Sequence, residues 1–167
     1  MIVSPDYAAF ALTYDAGKPQ AVWTTFVADL ETPVSTMLKL AESRANSFLL
    51  ESVEGGAVRG RYSVIGLKPD LIWRCFGARA EINESARYDP DAFVDCKDNA
   101  LDSMRALIRA SHIELPENLP PMAAGLVGYI GYDMVRHMER LPEPNPDVLH
   151  LPDAILMRPT IMAIFDS

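Results

Sequence analysis

The sequence predicts an α+β fold made largely of antiparallel sheets with flanking helices. Short apolar runs separated by glycine or proline turns over residues 47–82 are typical of an antiparallel meander. Two other stretches, 32–46 and 91–111, repeat their apolar residues with the period of a helix. The 167 residues are 49% hydrophobic and 23% charged, which is globular composition and predicts about one domain spanning 1–167.

The first elements are predicted from turn and capping residues. Residues 13–26 contain two short runs on either side of Asp15–Pro19, which indicates a turn between two strands. Thr32 and Pro33 then mark a helix start, because a hydroxyl N-cap is followed by proline at the first helical position. We expect this helix to end near residues 43–46. Its apolar face consists of Val34, Met37, Leu38 and Ala41.

A group of short strands is predicted next. Residues 47–52 and 61–66 have strand character, and Leu67–Asp70 has the composition of a turn. A third strand is expected at 71–76, followed by a turn at Gly77 and a fourth strand at 79–82. These tight connections predict antiparallel pairing.

The second half of the chain alternates helical and extended patterns. We expect a helix within 91–111, a connector at 115–121, a glycine-rich strand at 125–131, a short helix at 132–138, a loop at 142–146 and a strand at 154–165 interrupted at Arg158-Pro159. A long final strand needs partners on both sides, which suggests the front part of a longer polypeptide. A C-terminal strand that simply closes a sheet is the alternative.

Charge and composition exclude several classes of protein. Lys and Arg number 15 against 23 Asp and Glu, a net charge of −8 that does not suit binding to nucleic acid or anionic membranes. The chain has no apolar run long enough to span a membrane and no basic segment preceding an apolar core near its start. Two cysteines make neither a disulfide framework nor a zinc site. A cytoplasmic, reduced protein is expected.

No catalytic or metal-binding constellation is predicted from the residues. The three histidines lack metal-ligand spacing, and Cys75 is expected to be a small buried hydrophobic residue. Gly125, Gly128 and Gly131 lack the following lysine and hydroxyl residue of a phosphate-binding loop. We expect them to allow close backbone packing instead.

The arginines are predicted to serve mainly structure. Arginine outnumbers lysine, and acidic residues are in excess. Arg74 and Arg79 flank the Gly77 turn and are expected to pair across strands with Glu81.

One strand end has the chemistry of an amino-acid site. Glu51 and Ser52 end an apolar run beside Gly55-Gly56, and Arg61 follows. A free amino acid requires an acceptor for its ammonium group, donors for its carboxylate and an apolar wall. A solvated charged surface is the ordinary alternative. Adjacent strand residues face opposite ways, so Glu51 and Ser52 share a pocket only if the strand ends or bulges there.

Two long blocks of sequence carry a family resemblance. The first block is Phe48–Glu54 with Gly60–Gly66, and the second is Gly128–Arg136, Glu139–Pro142 and Leu151–Ala154. Together they resemble the N-terminal region of anthranilate synthase component I, a chorismate-using family. The resemblance runs from about Thr24 to the last residue. The Glu51-Ser52 pair favours anthranilate synthase over its aminodeoxychorismate synthase relatives.

The resemblance implies a fold and an activity. The fold would be part of the family's two-sheet sandwich. The family converts chorismate and glutamine-derived ammonia to anthranilate and pyruvate with Mg²⁺, in tryptophan biosynthesis. A glutamine amidotransferase subunit, component II, supplies the ammonia. Chorismate and Mg²⁺ bind in the C-terminal chorismate-binding domain, so this chain alone is expected to be inactive and to hold no cofactor.

The resemblance also implies an allosteric site for L-tryptophan, the feedback inhibitor. Leu50, Glu51, Ser52 and Arg61 would contact tryptophan, and the C-terminal part would complete the pocket. Two alternatives remain: a stand-alone amino-acid-binding module, or the N-terminal part of an aminodeoxychorismate synthase.

Overall fold

A computed structural model describes residues 2–51, 61–120, 122–143 and 146–166. The fold is α+β, as predicted. The helices and strands, in chain order, are α1 Tyr7–Asp15, α2 Pro33–Ala41, β1 Phe48–Leu50, β2 Tyr62–Phe76, β3 Arg79–Asn83, β4 Val94–Asp95, α3 Ala100–Ala110, β5 Val127–Ile130, a 3-10 helix Tyr132–His137, and β6 Ala154–Asp166.

The strands form one six-stranded sheet in the described part of the chain. Their order is β4-β3-β2-β6-β5, and β1 pairs with β2 beside this path. The β1–β2, β2–β3, β3–β4 and β5–β6 pairs are antiparallel. The sequence predicted antiparallel pairing for the strands within residues 47–82, which corresponds to the first two pairs. Since these strands all belong to one sheet, the two-sheet sandwich implied by the resemblance stays a prediction.

The chain divides into two compact units. The first comprises Met1–Leu67, Ile113–Gly125 and Met162–Ser167, and the second comprises Lys68–His112 and Leu126–Ile161. The core of the first is small: Ala41, Ile65 and Leu67 are buried, with Met37, Leu49, Ala163 and Phe165 packed against them. The core of the second is larger and consists of Leu71, Trp73, Cys75, Ala80, Ala100, Leu107, Met134, Ala154 and Leu156.

Helix α2 begins where its capping residues predict. The Thr32 hydroxyl accepts a hydrogen bond from the Ser35 backbone N–H at 3.0 Å, and the Ser35 hydroxyl accepts one from the Thr32 N–H at 2.9 Å. This reciprocal pair satisfies two N–H groups that a helix start leaves without partners. The helix ends at Ala41, earlier than the predicted 43–46, because Glu42 and Ser43 adopt φ angles of 47° and 62°.

The predicted turn at Leu67–Asp70 is wrong. Strand β2 runs through it without reversing, although Lys68 has a φ of 50°. Neighbouring β6 holds the strand there: the Thr160 hydroxyl donates to the Lys68 carbonyl at 2.7 Å, and Arg158 forms a two-bond ion pair with Asp70. Local sequence signals a turn, but these bonds from residues about 90 positions away keep the chain extended.

Strand β6 likewise continues through Pro159, where the sequence predicts an interruption. Its residue pairs with β5 end at Met157, so Pro159 lies beyond that pairing. A proline without an N–H is tolerated where a strand has no partner on the side the N–H would face.

The two strands predicted within residues 13–26 are also wrong. Thr13 to Asp15 form the end of α1, which starts at an Asp6 N-cap whose carboxylate accepts from the Ala9 N–H at 2.9 Å. The following residues contribute only an isolated bridge between Trp23 and Ser4 among the described residues. The capping aspartate was the sequence signal that could have revealed this helix.

Helix α3 starts at Ala100, inside the predicted range 91–111. Residues Val94 and Asp95 form the short strand β4 instead, paired with Ile82 and Glu81.

Other local predictions are confirmed, one of them in part. Arg74 pairs with the buried Glu81 carboxylate across strands β2 and β3, as predicted. Arg79 also pairs with Glu81, with Nη2 2.9 Å from Oε2, but both residues lie on β3, so this pair does not cross strands. Cys75 is fully buried. A β-carbon on Gly128 would lie 1.9 Å from the Ile155 carbonyl oxygen, so this glycine allows close approach of two backbones.

Candidate ligand site at the end of strand β1

Strand β1 is held on the edge of β2 in a definite register. Phe48 pairs with Gly66, Leu49 with Ile65 and Leu50 with Val64. The partners Val64 and Ile65 are 1% and 0% exposed, so β1 lies against a buried part of β2. Leu49 packs on the core of the first unit, whereas Leu50 is 45% exposed. The alternation of a strand therefore places Leu49 on the core and leaves Leu50 accessible.

The strand ends at Leu50, so strand alternation does not fix the orientation of the next residue. Glu51 lies after the last residue of β1 and is exposed. It is therefore not bound by strand alternation, which is the condition under which Glu51 and Ser52 could serve one pocket. Ser52 lies outside the described residues, as do Gly55 and Gly56.

Arg61 lies immediately before β2, at the same end of the antiparallel β1–β2 pair as Leu50 and Glu51. Its guanidinium forms a two-bond ion pair with Asp166 at the end of β6, with Nη2 2.7 Å from Oδ2. It also lies over the Tyr62 ring, 5.0 Å from the centroid. The hydrogen bond and charge of Asp166 raise the pKa of Arg61, and Arg61 lowers the pKa of Asp166.

Asp166 pairs with Arg61 at this strand end, and the sequence did not predict it. It lies 105 residues from Arg61, and no local pattern connects the two. Only the course of β6 beside β2 brings them together. Both side chains remain about half exposed, at 51% and 48%. A ligand carboxylate could therefore reach this arginine by replacing Asp166 in an equivalent two-bond pair.

The described groups match part of what an amino acid requires. Glu51 supplies a carboxylate for an ammonium group, Leu50 an apolar contact, and Arg61 a guanidinium at the same strand end. Carboxylate recognition by arginine is strong because its fork forms two parallel hydrogen bonds. These groups have the chemistry to recognise a small zwitterion, and none of them is a nucleophile with an adjacent base.

Metal chemistry is not assigned to this chain. In the described residues, no group of three or more His, Cys, Asp and Glu side chains is placed to hold a metal ion. None of the helices in the described ranges combines the length and the apolar character that crossing a membrane requires.

Comparison with known proteins gives a consistent result. Over 161 residues, 96% of this chain, the sequence is 55% identical to anthranilate synthase component 1 of Cereibacter sphaeroides. The chain is homologous to part of anthranilate synthase component 1. The component 1 proteins of Thermus thermophilus and Synechocystis sp. are 41% and 37% identical over 85% and 99% of the chain. No protein-family model matches.

The match covers only part of each anthranilate synthase component 1. The chain spans 32% of the Cereibacter protein, 29% of the Thermus protein and 32% of the Synechocystis protein. This share is consistent with the N-terminal region that the resemblance indicated.

A solved structure supports the fold. The crystal structure of anthranilate synthase component I from Streptococcus pneumoniae superposes on 88% of this chain and 29% of that chain, with a TM-score of 0.52 and 19% identity. At this identity the likeness concerns the fold alone.

Proposed function

We propose that this chain is the N-terminal, regulatory part of an anthranilate synthase component 1. The whole enzyme would convert chorismate and ammonia to anthranilate and pyruvate. The observation that carries the proposal is the 55% identity to a component 1 protein across 96% of the chain. The relatives compared above carry the name anthranilate synthase component 1, which favours this branch over aminodeoxychorismate synthase.

The proposed role of the β1 end is to bind L-tryptophan as a feedback inhibitor. Leu50, Glu51, Ser52 and Arg61 are the proposed contacts. The exposure of Leu50 and the position of Glu51 beyond the strand end support access by a ligand. Tryptophan binding would favour a state that binds chorismate less well, which is how one ligand opposes another at a distance.

Arg61 would take part by exchange of ion-pair partners. In the structure it is paired with Asp166. The carboxylate of tryptophan offers the same two acceptor oxygens, so it would replace Asp166 rather than occupy a vacant donor. The end of β6 would then be released from Arg61 when the inhibitor binds.

The remaining components of the reaction belong to other parts of the enzyme. The name component 1 supports a second subunit, and we propose that this component II is the amidotransferase that delivers ammonia from glutamine. Chorismate and Mg²⁺ would bind in the C-terminal part of component 1. The cytoplasm is the proposed location.

The deciding experiment uses the full-length polypeptide. It is supplied with chorismate, Mg²⁺ and ammonium, and anthranilate is followed by its fluorescence while pyruvate is measured separately. We expect both products in equal amounts, and inhibition by L-tryptophan but not by L-phenylalanine. Aminodeoxychorismate without pyruvate would assign the chain to the other branch. Tryptophan binding without turnover of chorismate would indicate an amino-acid-binding module.

A further inference from the structure

Residues 2–30 are ordered without a hydrophobic core of their own. None of residues 2–30 is buried, although they contain helix α1. Neither hydrophobic core includes any of them. Ordering a chain carries a cost in conformational entropy that buried apolar surface normally offsets. No residue of this segment is fully buried, so its own buried apolar surface supplies little of that compensation.

Hydrogen bonds fold this segment onto itself. Ser4 and Trp23 exchange two backbone bonds of 2.8 and 2.7 Å. The Thr24 hydroxyl donates to the Ile2 carbonyl at 2.9 Å, and the Gln20 amide donates to the Phe10 carbonyl at 3.0 Å. These bonds fix the shape of the segment, in which Phe10 and Trp23 are partly buried but no side chain is fully buried.

The side chains that this shape presents are strongly apolar. Tyr7 is 83% exposed, Leu12 75%, Val27 82% and Leu30 96%. Five further large hydrophobic residues of the segment are also exposed, namely Ile2, Val3, Tyr14, Val22 and Phe26. Single exposed hydrophobic residues are ordinary, but nine within thirty residues of ordered chain indicate a surface that contacts protein.

We propose that residues 2–30, the N-terminal segment, pack against the remainder of the same polypeptide in the full-length enzyme. This inference rests on the proposed function. About two thirds of each relative lies outside the match, so a large part of the enzyme is available to cover the segment. The segment itself lies within the match, because 99% of the chain aligns with the Synechocystis protein. The exposed apolar side chains would thus form the core of an intramolecular interface.

The test is side-chain footprinting of the full-length protein with a radical or carbene reagent. Tyr7 and Tyr88 are equally exposed in the structure, at 83% and 85%, so Tyr88 is an internal control of the same residue type. Interface cores pack as densely as protein interiors. Tyr7 and Leu30 should therefore be labelled about eightfold less than their exposure predicts, since a packed side chain keeps roughly a tenth of its surface. Tyr88 should be labelled in full.

Three results would overturn the proposal. The first is equal labelling of Tyr7 and Tyr88 in the full-length protein. The second is protection of Tyr7 that develops only when component II is added, which would assign the surface to the other subunit. The third is protection that disappears on dilution, which would assign it to a second copy of the chain. Formation of anthranilate is measured on the same samples, so failure of the proposed function is seen separately from failure of the interface.

A matched pair of variants gives a second readout. Leu30→Glu places a charge in the proposed interface, whereas Tyr88→Glu places one on a surface of equal exposure outside it. In the full-length protein we expect Leu30→Glu to restore labelling of Tyr7 by several-fold, and Tyr88→Glu to leave that labelling unchanged. If Leu30→Glu leaves Tyr7 as protected as before, Leu30 does not belong to the interface.

Discussion

The ring of Phe48 on β1 lies over Gly66, its partner on β2. A β-carbon built on Gly66 would lie 2.2 Å from two ring atoms of Phe48, well inside van der Waals contact. The Phe48 ring can therefore occupy this position only because Gly66 has no side chain. This contact lies two residues before Leu50, so it anchors the strand whose end forms the proposed tryptophan site.

Gly66→Ala is expected to destabilise the protein by about 1–3 kcal/mol, because the added methyl group displaces the Phe48 ring. Urea unfolding followed by circular dichroism measures the change. Phe48→Leu should recover part of this loss in the Gly66→Ala background, since a smaller side chain leaves room for the methyl group. A double variant no more stable than Gly66→Ala alone would show that the ring is not the obstacle.

Gly128→Ala is expected to destabilise the protein more, by about 3 kcal/mol or above. We expect that a second substitution will not restore this stability. The obstacle here is the Ile155 backbone, whose carbonyl oxygen would lie 1.9 Å from the new methyl group. Backbone cannot be exchanged for a smaller group, so Ile155→Ala should not restore stability. Recovery of stability in that double variant would contradict the backbone clash.

The raised pKa of the buried Cys75 thiol predicts that the protein loses stability at alkaline pH. Burial, with a smaller contribution from the charge of Asp153, raises the pKa of its thiol from 9.0 to about 11. The folded state keeps the proton where the unfolded chain loses it, so this stability is present below pH 9 and is lost as pH rises towards 11. The loss should be on the order of 2 kcal/mol.

The measurement compares the free energy of unfolding of the native sequence and of Cys75→Ala from pH 8 to 11. Tyrosine and lysine titrate in both proteins, so only the difference between the two curves reports Cys75. We expect this difference to shrink with rising pH. Parallel curves would mean that the folded and unfolded thiols have the same pKa.

Ser52→Ala in the full-length enzyme should weaken tryptophan inhibition and leave chorismate turnover largely intact. Loss of a hydrogen bond to a charged ligand group costs about 1.5–3 kcal/mol, which corresponds to roughly a 10- to 150-fold rise in the inhibitor concentration for half-inhibition. Ser47→Ala is the control, because Ser47 is a partly buried serine at the other end of β1, where its hydroxyl donates to the Arg44 carbonyl. Unchanged inhibition in Ser52→Ala would remove Ser52 from the site.

Asp166→Asn should strengthen tryptophan inhibition if Arg61 exchanges Asp166 for the ligand carboxylate. Removing the competing charge should lower the half-inhibition concentration by roughly 1.4- to 5-fold, the range for an exposed ion pair. Asp95→Asn is the control, since Asp95 forms an exposed ion pair with Arg79 through one hydrogen bond, 2.7 Å from Nε to Oδ1. Weaker inhibition in Asp166→Asn would indicate that the Arg61–Asp166 pair shapes the site and does not compete for it.

The proposed site shows which features local sequence can predict and which it cannot. The apolar run predicted β1, and its end at Leu50 is where the polar residues begin. The partner of Arg61 could not be predicted, because Asp166 approaches it only through the course of β6. The sequence thus indicated which residues have side chains suited to binding an amino acid. The course of the sheet determined that one of them, Arg61, is ion-paired within the protein.

The sequence by itself determined the α+β class, the start of α2, the turn at Gly77 and the relationship to anthranilate synthase component 1. These features depend on neighbouring residues, such as the Thr32–Ser35 capping pair, or on residue identity along the chain. Only the tertiary structure decided that β2 runs straight through Lys68 and Pro69, since bonds from Thr160 and Arg158 override the local turn preference. It alone also revealed that none of residues 2–30 is fully buried, because burial depends on what packs against a side chain and not on the side chain itself.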